Sequence, residues 1–247
     1  MKWVPISFCQ LCLELKLENA GKLFCFLKHE TDGIIALPKA LWLSKNYFGV
    51  SERTIRRWLN QAIDNNWIGF NTKTKFLFIR SWQHLFNQYM FPKRASFRFS
   101  ENDLKDFKTF CFAVIIQYLS NRVQDETQER LWGCYKKKRS IQASSWSPVA
   151  ISGISRIVNL PESTVQKYRN RSHNKGLIIK RSRLKKTTIK VNELIWMRKF
   201  EPESTRKFII RNNQVFIQLP DEVKIDTSQI HSPKRFYLTP KSPLISP

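Results

Sequence analysis

Three arginines crowd the stretch "SERTIRRWLN", residues 51–60: Arg53, Arg56 and Arg57, with Asn60 close behind. A guanidinium is a planar fork of donors that meets two acceptors at once, on a guanine edge or on a phosphate. An Asn amide pairs in the same two-point way with adenine. Such chemistry needs the side chains to leave one surface together. At about 100° per residue, a helix gathers Ile55, Trp58, Leu59, Ala62 and Ile63 on one face. Arg53, Arg57 and Asn60 then lie opposite, flanked by Thr54 and Arg56. Ser51 is a suitable N-cap and Glu52 a favourable first-turn acid, so the spacing predicts a helix from Ser51 to about Asn65.

A polar face opposite a core face is, by itself, only a solvated surface. A second copy shifts the balance. "VNLPESTVQKYRNRSHNKGLI", 158–178, aligns without a gap to "FGVSERTIRRWLNQAIDNNWI", 48–68, at an offset of 110 residues. Glu162, Thr164, Asn170 and Ile178 repeat Glu52, Thr54, Asn60 and Ile68, and Tyr168 faces Trp58. Upstream, Pro148 matches Pro38 and Ala150 matches Ala40. The outward positions of the second copy are Ser163, Lys167 and Asn170, flanked by Thr164, Gln166 and Arg171. Two residues break the pattern. Arg169 stands in the place of Leu59 and His173 in that of Ile63, which narrows the buried stripe to Val165, Tyr168 and Ser172. An offset of 110 is too long for a solenoid and suits two domains of one kind.

The elements that would position these helices follow from the flanking pattern. Helices are expected over 19–30 and 38–48, a turn at Gly49, and two strands over 67–82 with Lys73 and Lys75 at their tip. That is the order of a winged helix-turn-helix. The second half offers a long helix over 100–124 and a partly mobile connector over 125–146. A helix pair at 148–158 and 161–175 follows. A ribbon over 176–191 would then carry Arg181, Arg183, Lys185 and Lys186. "KFIIRNNQVFIQL", 207–219, reads as a hairpin turning at Asn212 and Asn213, and the tail from Ser232 reads as disordered. The expected class is mainly α with small β-ribbons (α+β). It comprises two tandem winged helix-turn-helix domains, 1–90 and 91–199, followed by a hairpin extension and tail, 200–247.

Charge supplies an independent argument. The net charge is +24, and residues 130–190 alone hold 16 basic residues against one acid. Like charges repel in a compact state, so such a block implies a polyanionic partner. "YKKKRS", 135–140, reads as a phosphate-binding arm within it. A membrane partner is disfavoured: the longest apolar run, "FCFAVII" at 110–116, falls far short of the roughly 20 residues of a span. The N-terminus lacks the pattern of a signal peptide, and 5 cysteines form an odd, sparse set that suits a reducing compartment. The expected location is cytoplasmic and nucleoid-associated.

Cys9, Cys12, Cys25 and His29 have the spacing of a zinc finger. The leucines between them, and the placing of Cys25 and His29 inside a predicted helix, favour buried core residues instead. With 7 Gly, 4 His and no acidic cluster, there is no phosphate loop and no metal-dependent catalytic pattern. The sequence predicts neither an enzyme nor a cofactor.

Residues 3–68 resemble the winged-helix domains of phage and plasmid replication proteins. The likeness rests on Gly49, Val50, Ser51, Arg53, Thr54, Ile55, Arg57 and Leu59. Asn66 stands where that group carries Gly, which Gly176 supplies in the second copy. The resemblance implies duplex-DNA binding, with a role in replication initiation or transcription control on a mobile element and contact with that machinery. Two other readings stay open: a winged-helix protein-interaction module in a nucleoprotein assembly, and RNA binding by the same basic surface.

Overall fold

The computed structural model describes residues 2–91, 95–134, 146–201, 207–224 and 230–231. The chain is α+β, with more helix than strand and small antiparallel sheets. β1 (Trp3–Pro5) leads into α1 (Ile6–Glu14), which buries Phe8, Cys9, Cys12 and Leu13. α2 (Glu18–Glu30) returns alongside. Gly21 permits their contact, because a Cβ there would fall 2.5 Å from Sγ of Cys12. β2 (Ile34–Ala36), α3 (Leu37–Phe48), α4 (Glu52–Asp64), β3 (Ile68–Asn71) and β4 (Phe76–Ile79) complete a first unit. α3 carries Pro38 in its first turn and stops at Gly49, whose φ is +64°. Ser51 caps α4 by accepting from the Thr54 N–H at 3.3 Å.

Between the strands expected over 67–82 and the long helix expected from 100 lie α5 (Trp82–Tyr89) and β5 (Ser96–Arg98). Trp82 closes an aromatic cluster with Phe8, Phe24 and Trp67. The indole N–H of buried Trp67 donates to the Tyr89 hydroxyl at 2.9 Å, the partner a buried Trp requires.

The second unit opens with α6 (Glu101–Lys105), breaks at Asp106 and resumes as α7 (Phe107–Cys134). Residues 125–134, expected in the connector, therefore continue a helix, while 135–145, including the basic arm, lie outside the described residues. β6 (Trp146–Pro148), α8 (Ile151–Val158), α9 (Glu162–Asn174), β7 (Lys180–Lys186), α10 (Val191–Phe200), β8 (Phe208–Arg211), β9 (Gln214–Lys224) and β10 (Ile230–His231) follow.

Helix, strand, helix, helix, strand, strand recurs in both units if α10 and β8 are set aside. The strand order is the same too: β2-β4-β3 and β6-β9-β7, with β4 and β9 central. Leu77 and Val223, both fully buried, hold the middle of each sheet. α4 and α9 each span 13 residues, and their C-terminal turns match bond for bond. Trp67 N–H donates to Ala62 O at 2.9 Å, and Leu177 N–H to Ser172 O at 2.9 Å. The left-handed residue in each turn is Asn66 (φ +56°) or Gly176 (φ +71°). Gly adopts that region freely, and Asn is among the few others that visit it routinely.

Three expectations are corrected. The stretch 176–191 is not a ribbon by itself: only β7 forms, and its partner is β9. Phe70 and its partner Leu77 are seven positions apart in the chain, whereas Lys180 and Val223 are forty-three apart. Five of the seven β7 residues are basic, and β9 brings the buried Asp221, Glu222 and Val223 that such a strand needs opposite it. For the same reason 200–247 is more than an extension. β9 is the central strand of the second sheet, and β10 pairs with β5, which also pairs with β1. Third, Pro148 lies in β6 and not in a first helical turn, because α8 begins only at Ile151. The hairpin at 207–219 is present as β8–β9, turning at Asn212 and Asn213 with φ of +48° and +58°. The tail from Ser232 lies outside the described residues.

The units do not have separate cores. α1 packs against α7 and α8, α7 against α9, and buried residues from Val4 to Val223 form a single hydrophobic cluster. Lys108 of α7 adds an ion pair to Glu18 of α2 at 2.6 Å.

Candidate nucleic-acid interface

α4 buries Ile55, Trp58, Leu59 and Ala62 against α2 and α3, which turns Arg53, Arg57 and Asn60 outward. All three are exposed. Arg56 is exposed as well, but its guanidinium is held by Glu52 one turn back at 2.7 Å. Thr54 is half-buried, with its hydroxyl 3.0 Å from that of Ser51, so this pair serves the cap. Lys22 Nζ sits 4.1 Å from the Trp58 ring and fixes the inner side of the helix. Lys73 and Lys75 occupy the β3–β4 tip, both exposed. Asn71 shapes that turn by accepting from the N–H groups of Lys73 and Thr74 at 2.9 and 3.1 Å.

α9 uses the same inner face. Val165 is buried, Tyr168 stacks on Phe112 with centroids 4.7 Å apart, and Ser172 donates to Thr109 O at 3.1 Å. Ser163 and Lys167 are exposed and Thr164 half-buried. The other expected residues are engaged within the molecule. Asn170 Oδ1 accepts from Lys180 at 2.5 Å and from Gln166 at 3.2 Å. Arg171 does not share the outward face. It pairs with Asp106 at the α6–α7 break, at 2.8 Å, beside Lys175 at 2.5 Å. Burial alone would raise the Asp106 carboxyl. The paired Lys175 and the nearby charge of Arg171 outweigh it, so the pKa lies below the usual carboxylate value.

On β7, Arg181 and Arg183 converge on buried Glu222, each at 2.7 Å, and the Arg181 guanidinium lies 4.3 Å from the Trp146 ring. The register puts Arg181 directly opposite Glu222. Two guanidinium groups on one carboxylate keep only part of their charge for an outside partner. Lys185 and Lys186, further along β7, are exposed. The sequence reading therefore missed four positioning residues: Lys180, Asp106, Asp221 and Glu222. A signal existed for two of them, because "DE" at 221–222 sets two adjacent acids in a half of net positive charge.

Arg169 is explained by the same strand. It is 4% exposed and paired with Asp221 at 2.5 Å, and it also donates to Gln166 at 3.1 Å. Burial lowers its pKa against the opposing pull of Asp221. The pair lines a groove of about 610 Å³ between α8, α9 and β9, together with Ser152, Gln166, Lys207 and Gln218.

Cys9, Cys12, Cys25 and Cys111 are free thiols buried where α1, α2 and α7 meet. Burial pushes Cys12, Cys25 and Cys111 well above the ordinary thiol value, which disfavours the thiolate that a metal needs. His29 turns its ring to Phe99, with centroids 5.0 Å apart. Among the described residues, no group of three or more His, Cys, Asp or Glu is arranged to hold a metal ion. Nor, among the described residues, is any helix long and apolar enough to cross a membrane. No family model, curated protein or solved structure matches the chain.

Proposed function

We propose that the chain is a sequence-specific duplex-DNA-binding protein in which two winged helix-turn-helix units present α4 and α9 as readers. It would serve replication initiation or transcription control of a phage- or plasmid-like element. The observation that carries this reading is the outward face of α4. Arg53, Arg57 and Asn60 leave one surface together, beside a tip bearing Lys73 and Lys75. These are the side chains suited to base edges and to phosphates respectively. The second unit supports it with Ser163, Lys167, Lys185 and Lys186, a smaller exposed set than the sequence offers. The mobile-element role rests on the resemblance of residues 3–68 alone. The test is selection of bound duplexes from a random pool. Enrichment of a site that depends on Arg53 and Arg57 is expected. No enrichment would overturn the reading.

A second reading has one observation in its favour. The outer face of the first sheet exposes Ile34, Phe76 and Phe78, with Ile34 directly opposite Phe78. Such an apolar face suits a protein partner. If random-pool selection fails and Phe76→Ser/Phe78→Ser abolishes assembly with replication or transcription proteins, the interaction module is the better account.

A further inference from the structure

α10 and β8 have no counterpart in the first unit, where β3 and β4 join by a short turn. Of α10, Leu194 is buried, whereas Trp196 and Phe200 are 64% and 60% exposed. They stand one turn apart with ring centroids 4.7 Å from each other, inclined at 42°. Lys199 Nζ lies 5.9 Å from the Phe200 ring, and Arg198 anchors the helix by donating to Phe208 O at 2.8 Å. Residues 180–211 hold 11 basic residues against 3 acids. Glu222 engages Arg181 and Arg183, and Asn170 engages Lys180, but Lys185, Lys186 and Lys199 are exposed. One acid, Glu193, is occupied in capping the backbone N–H of Lys190.

The apolar side chains of α10 do not form a membrane-binding stripe. Ile195, Trp196 and Met197 are consecutive and so point around the helix. Protein interfaces are depleted in Lys, whereas this surface is rich in it. Exposed rings set in a positive field match one partner: unpaired bases that stack on the rings while their phosphates meet the cations.

We infer that α10 is a stacking platform for single-stranded nucleic acid, carried by the Trp196–Phe200 ring pair. It is separate from α4 and α9 and does not depend on their reading duplex DNA. The platform accepts any base, because every base has a π-face. Its affinity divides into a ring part, which needs bases, and a charge part, which does not.

The test uses the full chain and three fluorescent probes: an oligothymidylate of about twenty residues, an abasic oligonucleotide of the same length, and a duplex. Wild type should bind oligothymidylate about tenfold or more tightly than the abasic strand. Trp196→Ala/Phe200→Ala should lose that preference and leave duplex binding unchanged, and Trp196→Phe should keep most of it. Circular dichroism of the double variant should match wild type, since both rings are exposed. The platform is overturned if wild type does not distinguish the two strands, or if the double variant distinguishes them as wild type does. It is also overturned if removing the rings instead dissociates a dimer in sedimentation, which would make the patch a contact between copies.

Discussion

Arg169 of α9 donates to Asp221 of β9, at the position where α4 buries Leu59. A charge has replaced an apolar residue in a repeated fold, and a carboxylate on the neighbouring strand answers it. Both partners are more than nine-tenths buried. Breaking such a pair leaves an uncompensated buried charge, at a cost of about 3–5 kcal/mol, whereas replacing both sides with apolar groups is often neutral or better.

Asp221→Ala should therefore destabilise the protein by about 3–5 kcal/mol in urea unfolding. Arg169→Leu/Asp221→Leu should recover most of that loss. Additive effects of the single substitutions would show that the two residues act separately.

The Asp106 cluster predicts a pH dependence. Its folded pKa lies below the unfolded value, so the unfolded chain binds the proton more readily. The stabilisation is present above the unfolded carboxylate pKa, about 3.9, and is lost as pH falls through the folded value. Wild type should thus lose more stability on acidification than Asp106→Asn. Parallel stability curves for the two proteins across the acidic range would contradict the assignment.

For the proposed interface, Arg57→Ala should cost about 1–3 kcal/mol of duplex affinity and relax preference at one base position. Lys73→Ala should weaken specific and scrambled duplexes alike. If Arg57→Ala also weakens both equally, Arg57 holds phosphate and does not read bases.

Salt separates the exposed cations from the engaged ones. Neutralising about six phosphates gives a slope of log affinity on log salt on the order of −5. Lys185→Ala/Lys186→Ala should make it shallower by about 2. Arg183→Ala should change it less, because Glu222 already holds that side chain. A full unit lost at Arg183 would mean that it leaves Glu222 for the phosphate.

The single core makes a fifth prediction. Phe112 is fully buried on α7 and stacks on Tyr168, so Phe112→Ala should cost about 3–5 kcal/mol. It should lower one calorimetric transition that includes both units. Two transitions, with only the later one moved, would indicate independent folding. Cutting the chain between residues 91 and 95 should leave the first part unfolded, since α1 would lose α7 and α8.

The α4 face was legible because its apolar residues recur at helical spacing and its arginines fall between them. The end of α4 was legible too, to within a residue of Asn65. The second sheet was not, because the partner of β7 lies beyond a helix and a hairpin, and spacing along the chain carries no information about pairing at that range. Arg171, Arg181 and Arg183 look like free cations in a basic run. Only the positions of Asp106 and Glu222, set by tertiary packing, show that they are engaged. Arg169 was visible as an anomaly, but its meaning depended on Asp221.

The contact of α1 with α7 and α8 bears on how α4 and α9 meet the outside. Readers on a loose tether gain from local concentration and tolerate slack. Here both helices are mounted on one packed core, so their distance and angle are set when the chain folds. If α4 and α9 are the readers proposed above, a long ligand would meet a preset template. One whose own repeat fits that template would engage both helices at once, and one that does not would have to deform or leave a helix idle.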